Sequence, residues 1–506
     1  MSTAILITSA QMRAAEQACF AAGVAEDLLM EAAGAALYRV IRHVWRSGGT
    51  LVVFAGKGHN AGDALVAGRI EAESTRGRVE LRRVFPVDAY RPLALHQHRG
   101  CLSAGGIDCP LDAPLPARGP ILLLDGLLGI GATGSLQPEI LEACRLMNRL
   151  RHEHRIPIAA VDTPTGLDAT TGIADPDAII ADHTITFGFP KTGLVADAAA
   201  RHVGRLHVAP LPGLLSPVGG SQDFVITPEV ARGWLPTVRP FDLHKGAAGR
   251  VGIVAGGHGC VGAARMASAA AMRSGAGLVA LFIPKDLLAI AAASCVPEVM
   301  VRTFEEIPAW KADAWAVGPG LGDNISPELF EWMLSVPKPV LMDADALNWM
   351  AGSGKLDALL RSPAGPRLLT PHPGEMDRLL AGTLPDLRSK TRAEQAREFT
   401  STHPVTLLLK GARSVIAEHG HALAYNTTGT PGMASGGMGD VLSGLCAGLL
   451  AQGCPAFQAA GLGSWLLGRA GELAEAADHS REALCATDVI GKLGAAFTAA
   501  ADDCRA

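Results

Sequence analysis

The densest group of residues that could do chemistry spans positions 426–440, NTTGTPGMASGGMGD, ahead of a segment typical of a helix, VLSGLCAGLLAQG. Glycines at the start of a helix leave backbone N–H groups free to bind an anion, which the helix dipole also stabilises. The aspartate at that position, Asp440, could accept a proton from an attacking hydroxyl group. The pattern predicts a phosphoryl-transfer site, and a glycine-rich helix cap is its structural alternative. The chain has no G-x-x-x-x-G-K-[ST] motif, which excludes the P-loop kinases.

Three further candidate sites lie in the first half of the chain, each at the end of an apolar segment typical of a buried strand. They are GKGHNAGD at 56–63, DGLLGIGATG at 125–134 and DTPTG at 162–166. Glycines between a strand and a helix let the backbone approach a phosphate, and ligands bind at the carboxyl ends of parallel strands. We therefore expect the three sites to share one crevice. Taken alone, each could be a tight turn or a capping aspartate, and the first lacks the G-x-G-x-x-G dinucleotide spacing.

The elements that would position these residues are short apolar strands separated by helical segments. Predicted strands cover residues 51–55, 121–125, 158–162, 183–187, 250–255, 278–283, 314–317, 340–343, 367–370, 405–410 and 415–417. A single first helix is predicted over about residues 8–43. The alternation predicts α/β folds with parallel sheets and helices on both faces. The Pro- and Gly-rich segment 210–222 predicts domains at 1–215 and 222–506.

Composition narrows the class of protein. The chain has 506 residues, of which 48% are hydrophobic and 18% charged, as in a folded protein with two or three domains. The net charge of −5 disfavours a nucleic-acid partner. Ten cysteines without a C-x-x-C pair predict reduced thiols in a cytoplasmic protein. No apolar segment of transmembrane length occurs, so we expect no membrane partner.

The first-half motifs together resemble the NAD(P)H-hydrate epimerase domain, and GKGHNAGDALVAGR, DGLLGIGATG, VDTPTGLD and TFGFPKTG carry the resemblance over nearly all of residues 1–215. The resemblance implies a three-layer Rossmann-like fold. It implies that Asp162 is the acid/base residue and contacts the hydrate, and that a potassium ion binds near Asn60, Asp125 and Thr165. It also implies hydrate contacts from His59, Asn60, Ala61, Gly62, Asp63, Gly129, Ile130, Gly131, Ala132, Thr133, Gly134 and Ser135.

The first loop departs from the family's usual G-N-N-G-G-D-G, because this chain has His59, Ala61 and Ala64 at three of those positions. If Ala61 had to adopt a positive φ, the strain would cost about 1 kcal/mol. The role of Lys191 is open at this point, since it could be a second polar group of the site or a solvated loop lysine.

The second half resembles the ribokinase-like superfamily, in which G-x-G-D carries the anion site and base. Further motifs match one branch of it, the ADP-dependent NAD(P)H-hydrate dehydratase. They are HKG at 244–246, GGHGCVGAARMASAAAMRSGAGLV at 256–279, GPGLG at 318–322, DADALN at 343–348, LTPHPGE at 369–375 and LLKGARSVI at 408–416. The resemblance therefore implies an N-terminal Rossmann-like domain followed by a C-terminal ribokinase-like α/β domain.

The same resemblance implies a role for individual residues of the second half. Asp440 would activate the hydrate hydroxyl, and Gly439 would bind the migrating phosphate. The family's hydrate-binding positions correspond to Ala263, Gly320 and His372 in this chain. His372 could instead be a simple loop histidine. The nucleotide-binding stretch matches Lys410, Gly411, Ala412, Arg413 and Ser414. Asp343 and Asp345 could be strand-end caps and stay unassigned.

The implied function is repair of hydrated NADH and NADPH. The first domain would interconvert the R and S hydrates, and the second would dehydrate the S hydrate with ADP, releasing AMP and phosphate, with Mg²⁺ shielding the donor phosphates. A homo-oligomer is expected. The alternative is a ribokinase-like small-molecule kinase joined to a non-catalytic nucleotide-sensing domain, which would leave a stable phosphorylated product.

Overall fold

The computed structural model describes residues 4–45, 49–74, 77–116, 119–131, 134–215, 219–236, 239–322, 326–478 and 480–501. The chain divides into two compact units, Met1–Gln222 and Asp223–Ala506. The assignment of an epimerase to 1–215 and a dehydratase to 222–506 stays a prediction. None of the described helices is long and apolar enough to cross a membrane.

The first unit is built on a parallel sheet of seven strands in the order β3-β2-β1-β4-β5-β6-β7. The strands are β1 (Thr50–Ala55), β2 (Arg78–Arg83), β3 (Ile107–Pro110), β4 (Ile121–Gly126), β5 (Ile158–Val161), β6 (His183–Phe187) and β7 (Arg205–Ala209). Strands β1 and β4 are neighbours although two strands separate them in the chain, so the crossover brings their carboxyl ends together. That edge is where a doubly wound sheet binds its ligands.

Helices cover both faces of this sheet. They are α1 (Ser9–Ala21), α2 (Glu26–Val44), α3 (His59–Glu73), α4 (Pro92–Ser103), α5 (Pro138–His154) and α6 (Ala200–Val203). One core joins α2, α3 and α4 to the sheet through side chains such as Leu37, Leu65 and Val53. A separate core joins α5 to the other face through side chains such as Met147 and Val52. The three-layer α/β fold predicted for this unit is confirmed.

The prediction of one helix over residues 8–43 is wrong, because the structure has two helices there. Helix α1 ends at Ala21 and α2 begins at Glu26. Gly23 between them has a φ of 94°, which is left-handed backbone that ends a helix. Ala25, which precedes α2, is extended.

The second unit is built on a ten-stranded sheet in the order β11-β10-β9-β12-β13-β14-β15-β16-β17-β8. Its strands are β8 (Phe224–Val225), β9 (Arg250–Val254), β10 (Leu278–Ile283), β11 (Met300–Thr303), β12 (Ala314–Val317), β13 (Val340–Met342), β14 (Arg367–Leu369), β15 (Thr406–Leu409), β16 (Ser414–Glu418) and β17 (Ala424–Asn426). The predicted parallel pairing holds from β11 through β15, and the sheet departs from it at one side, where β16 runs antiparallel to both β15 and β17. Only four residues, 410–413, join β15 to β16, which is enough for a hairpin and too few for a parallel crossover.

The helices of the second unit are α7 (Pro228–Gly233), α8 (Val261–Arg273), α9 (Leu288–Ser294), α10 (Pro327–Ser335), α11 (Asp345–Gly352), α12 (Leu356–Arg361), α13 (Pro373–Thr383), α14 (Arg392–Thr402), α15 (Met438–Ala451), α16 (Ala456–Asp478) and α17 (Ala486–Ala501). Helix α15 is almost entirely buried and packs on α8. The two helices approach closely at Gly444, where a Cβ atom would lie 1.9 Å from the Ala267 carbonyl oxygen. This contact fixes the helix that begins at the predicted base.

Candidate active sites

The predicted potassium ligands of the first unit lie together at the carboxyl end of β4. Asp125 is fully buried, and its carboxylate accepts hydrogen bonds from the Thr165 hydroxyl at 2.7 Å and from the Thr165 backbone N–H at 2.8 Å. The Asn60 side-chain amide donates to the Leu128 carbonyl at 3.0 Å. The Thr165 hydroxyl accepts from the Leu128 N–H at 3.1 Å. The Asp125 carboxylate, the Thr165 hydroxyl, Leu128 and Asn60 therefore belong to one hydrogen-bonded group at this end of β4.

Burial raises the pKa of Asp125 to about 6, although the hydrogen bonds from Thr165 and Leu127 act in the opposite direction. A buried carboxylate without a full counter-charge is costly, and a bound cation would relieve that cost. The oxygen donor set of Asn60, Asp125, Thr165 and the Leu128 carbonyl fits a potassium ion chemically.

Asp162 follows β5 and has a φ of 61°, which is uncommon for a residue other than glycine. Its Oδ1 atom accepts hydrogen bonds from the Thr186 hydroxyl at 2.9 Å, the Phe187 N–H at 3.2 Å and the Lys191 ammonium at 2.5 Å. Among the described residues no donor lies on Oδ2, and the side chain is 11% exposed. Lys191 is fully buried, so the interpretation of it as a solvated loop lysine is wrong.

The first loop forms the N-terminus of α3, where the first-turn N–H groups have no acceptor within the helix. Ala61 is a buried helical residue, so the strain considered for a positive φ does not arise. Gly62 packs against the Met30 side chain, whose end would have to move to make room for a Cβ atom at that position. His59 lies at the surface, with its Nε2 atom 3.3 Å from Glu26 Oε1.

The second predicted loop, 129–135, is attached to α1 through Arg13, which donates to the Ile130 carbonyl at 3.1 Å. Gly129 lies against Asn60, where a Cβ atom would be 3.3 Å from Asn60 Oδ1. Gly131, Gly134 and Ser135 are exposed. The predicted residues Ala132 and Thr133 lie outside the described residues.

Helix α1 also brings a residue to this site that the sequence analysis did not identify. Burial and the nearby charge of Asp162 raise the pKa of Glu16. Burial and the charges of Asp162 and Glu16 raise the pKa of Asp63 well above its usual value, while Lys191 lowers it. Asp63, Asp162 and Glu16 therefore share one electrostatic environment around one lysine. No local motif marks Glu16, because only the tertiary fold brings it near Asp162.

In the second unit, a cavity of about 420 Å³ brings together several of the predicted site residues. Five of them line it: His372, Lys410, Gly411, Gly439 and Asp440. The lining also includes Asp343, Ala344, Pro373 and Glu375. Asp343 and Glu375 were not assigned a role from the sequence.

Asp440 lies in the first turn of α15, which Gly437 precedes with a φ of 95°. Its carboxylate is half-buried and accepts no hydrogen bond from the residues that the structure describes. Burial and the charge of Asp343 raise the pKa of Asp440 to about 6, against the opposing effect of Lys410. An unpartnered carboxylate with this pKa is well suited to act as a base near neutral pH.

Lys410 is held by Asp343 at the base of the cavity. Its ammonium nitrogen lies 2.7 Å from Asp343 Oδ1 and 3.8 Å from Glu375 Oε2. The other oxygen of Asp343, Oδ2, accepts from the Ser443 hydroxyl at 2.7 Å. Each oxygen of Asp343 thus has a partner, and one of the two contacts holds the Lys410 ammonium in the cavity.

His372 caps helix α13. Its Nδ1 atom accepts from the N–H groups of Gly374 at 3.0 Å and Glu375 at 3.3 Å. In the neutral ring Nε2 then carries the proton, 3.3 Å from Glu375 Oε1. The half-exposed ring can therefore cap the helix through Nδ1 and donate from Nε2 to a ligand in the cavity.

The remaining predicted residues of this unit are not part of the lining of this cavity. Ala263 and Gly320 are in close contact, since a Cβ atom on Gly320 would lie 2.9 Å from the Ala263 Cβ atom. Ala412 and Arg413 continue the loop that begins at Lys410, and Ser414 is the first residue of β16. Arg413 is only 5% exposed. A contact from Arg413 to a nucleotide would therefore use its backbone.

A parallel-sheet unit with aspartates at its strand ends, followed by an α/β unit whose glycine-led helix α15 carries Asp440, is the architecture of a two-unit α/β enzyme. Residues 26–193 match the family model described as "YjeF-related protein N-terminus", and residues 251–493 match that described as "NAD(P)H-hydrate dehydratase". The bifunctional NAD(P)H-hydrate repair enzyme Nnr of Moorella thermoacetica is 35% identical over 499 residues, covering 92% of this chain and 91% of that protein. Its Escherichia coli namesake is 35% identical over 477 residues, covering 92% and 88%.

The chain therefore belongs to the family of bifunctional NAD(P)H-hydrate repair enzymes, as the sequence predicted. Among solved structures, the ADP/ATP-dependent NAD(P)H-hydrate dehydratase from Bacillus subtilis, co-crystallised with ATP/Mg²⁺, is 30% identical. The match covers 54% of this chain and 97% of that chain, with a TM-score of 0.46.

Proposed function

We propose that this chain repairs hydrated NADH and NADPH in two steps. The first unit interconverts the R and S hydrates, and the second dehydrates the S hydrate with ADP, releasing AMP and phosphate. The observation that carries the proposal is the cavity of the second unit, where unpartnered Asp440 at the start of α15 lies beside Lys410 and Gly439. Membership of the repair family supports the same conclusion.

The proposed dehydration begins with proton transfer from the hydrate hydroxyl to the Asp440 carboxylate. The freed oxygen attacks the terminal phosphoryl group of ADP, and AMP leaves. The N–H groups at the start of α15 and the Lys410 ammonium stabilise the negative charge on the transferring group. Phosphate then leaves the ring, the adjacent carbon loses a proton, and the ring double bond is restored.

Mg²⁺ is the proposed metal of the second unit, where it would shield the donor phosphates. Mg²⁺ is usually bound by one or two carboxylates together with substrate phosphates. Glu375 lines the cavity and could supply such a carboxylate, while Asp440 stays free to act as the base. The described residues contain no group of three His, Cys, Asp or Glu side chains that would bind a metal unaided, so phosphate oxygens would complete the site.

In the first unit, the hydrate carries a hydroxyl group on a carbon that is bonded to the ring nitrogen. We propose that Asp162 takes the hydroxyl proton through Oδ2, so that the oxygen forms the aldehyde carbonyl while the carbon–nitrogen bond breaks. The electron pair of that bond goes to the ring nitrogen, which takes the proton from Asp162. In the reverse direction the nitrogen returns this proton to Asp162 and attacks the opposite face of the aldehyde, and the oxygen takes the proton back, which gives the other epimer. A potassium ion held by Asn60, Asp125 and Thr165 would balance the charge of the buried Asp125 and help to bind the dinucleotide phosphates.

Product analysis tests the proposal against a plain kinase. The S hydrate is incubated with the protein, Mg²⁺ and ADP, and phosphate, AMP and NADH are measured together. The proposal predicts equal amounts of the three products. A stable phosphorylated hydrate without free phosphate would contradict it and favour the kinase alternative.

We also propose that the protein is a homo-oligomer and that it resides in the cytosol. The cytosol is proposed because the nine described cysteines are free thiols.

A further inference from the structure

Lys191 is a fully buried charged group of the first unit's site, and all of its donors are used. Its ammonium nitrogen donates to Asp162 Oδ1 at 2.5 Å, to the Thr186 hydroxyl at 2.9 Å and to the Phe187 carbonyl at 3.3 Å. A lysine ammonium has three N–H donors. Lys191 therefore has no donor left for a ligand, and it can influence the reaction only through the groups that it holds.

The group that it holds is one oxygen of Asp162. Oδ1 accepts three hydrogen bonds, from Lys191, from the Thr186 hydroxyl and from the Phe187 N–H, which saturates it. Oδ2 is left as the atom of the carboxylate that can reach a ligand. Asp162 also has a left-handed backbone, which persists only where surrounding contacts enforce it.

The segment before helix α1, residues 4–8, forms an N-terminal arm that contacts the backbone at Lys191. Ile7 pairs with Lys191 in a parallel β-bridge, in which the Ile7 N–H donates to the Pro190 carbonyl at 3.0 Å and the Thr192 N–H donates to the Ile7 carbonyl at 2.9 Å. Ile7 is itself 1% exposed and packs with Met12 and Phe189. The lysine is thus fixed on its backbone side as well as at its ammonium.

We propose that Lys191 is a positioning residue for epimerisation, which fixes Oδ1 of Asp162 so that Oδ2 alone meets the hydrate hydroxyl. The inference rests on the proposed epimerase function of the first unit. It assigns Lys191 no contact with the hydrate, which distinguishes it from a second ligand-binding group. A substitution should therefore slow the chemical step and leave binding of the hydrate largely intact.

The test measures epimerisation alone, by chromatographic separation of R and S hydrates without added nucleotide. For Lys191→Met in the full chain, we expect kcat to fall by roughly 100-fold, because small misplacement of a reacting group has effects of that order, with KM within about threefold of wild type. Dehydration of the S hydrate by the same sample should be unchanged. The control is Arg145→Met, which removes a cation that pairs with Asp177 at the surface and should change neither activity.

An active wild type with an equally active Lys191→Met variant would overturn the inference. A raised KM with unchanged kcat would also overturn it, because it would indicate a hydrate contact. If Lys191→Met prevents folding of the first unit, Thr186→Val decides, since it removes one donor to Oδ1 and keeps the ion pair. We expect it to lower kcat by about fivefold or more with KM unchanged, and an unchanged kcat would refute the inference. A wild-type chain that leaves the R hydrate unchanged would instead refute the epimerase function itself.

Discussion

At the scale of the residue, both candidate sites pair a strand-end aspartate with a lysine beside strained backbone. In the first unit, Asp162 has a φ of 61° and is bound to Lys191. In the second, Asp343 is bound to Lys410 and precedes Ala344, whose φ is 48°. Left-handed backbone at a residue other than glycine costs of order 1–3 kcal/mol and tends to be kept where a site requires it. The lysines supply contacts that can hold these conformations in place.

The pH dependence of dehydration should report on Asp440. Its pKa of about 6 means that the carboxylate form, which accepts the hydroxyl proton, is present above pH 6 and is lost as the pH falls through that value. We expect kcat/KM for the S hydrate to decrease below about pH 6. Asp440→Asn should lower kcat by at least about 100-fold and abolish this dependence.

A rate that is independent of pH between 5 and 7 in the wild type, with unchanged binding of the hydrate, would contradict Asp440 as the base. Asp345→Asn serves as a control for the loss of a nearby carboxylate. Asp345 accepts from the Gly322 N–H at 2.8 Å and lies outside the lining of the cavity, so this variant should stay active and keep a pH-dependent rate. Its midpoint should move to slightly lower pH, because the charge of Asp345 also raises the pKa of Asp440.

The sequence nominated Asp162 and Asp440 as candidate site residues, because their residue type and their position in a motif are enough for that prediction. It did not decide the role of Lys191, because burial of a lysine depends on Thr186, Phe187 and the N-terminal arm. Nor did it identify Glu16, whose connection to Asp162 exists only in the folded unit.

At the scale of the element, the contact between α15 and α8 determines where Asp440 lies. We expect Gly444→Ala to destabilise the second unit by about 1–3 kcal/mol, because the new methyl group would overlap the Ala267 carbonyl oxygen. Urea unfolding would measure the loss. Gly494→Ala is the matched control, since that helical glycine is exposed with open space around it, and we expect up to about 1 kcal/mol of stabilisation. Equal stabilities for the two variants would contradict the packing account.

The loop that is predicted to bind the nucleotide depends on helix α14. Arg392 donates to the Lys410 carbonyl at 3.0 Å and to the Arg413 carbonyl at 2.7 Å. We expect Arg392→Leu to raise KM for the nucleotide by about tenfold, the effect of losing roughly 1.4 kcal/mol from charged hydrogen bonds, with KM for the hydrate unchanged. Arg397→Leu, on the same helix, removes a surface pair with Asp223 and should have no such effect. Equal nucleotide KM values for wild type and Arg392→Leu would refute this role.

Most central strands could be predicted from their apolar sequences, but β2 could not. Its sequence, RVELRR, has no apolar run, and yet Glu80 and Arg82 are buried because they pair with each other at 2.7 Å. Arg82 also donates to the carbonyl oxygens of Ala113 and Pro114. A charged strand of this kind is stable only with partners that are distant in sequence, so local pattern does not reveal it.

At the scale of the whole molecule, each unit has its own sheet and core, so the two activities should be separable by single substitutions. We expect Asp162→Asn to abolish enzymatic conversion of the R hydrate and to leave dehydration of the S hydrate at the wild-type rate. Asparagine tolerates left-handed backbone, so the substitution should not disturb the turn. Rates with each separated hydrate would show this, and loss of both activities in a folded protein would contradict independent sites.

The most direct test of the repair function is the recovery of absorbance at 340 nm from an equilibrated mixture of R and S hydrated NADH. The protein is added with Mg²⁺ and either ADP or ATP. Two working sites predict recovery of NADH from both epimers, and the faster donor identifies the nucleotide. Recovery limited to the S share, beyond slow spontaneous epimerisation, would show that the first unit is inactive. No recovery with either donor would contradict the function proposed for this chain.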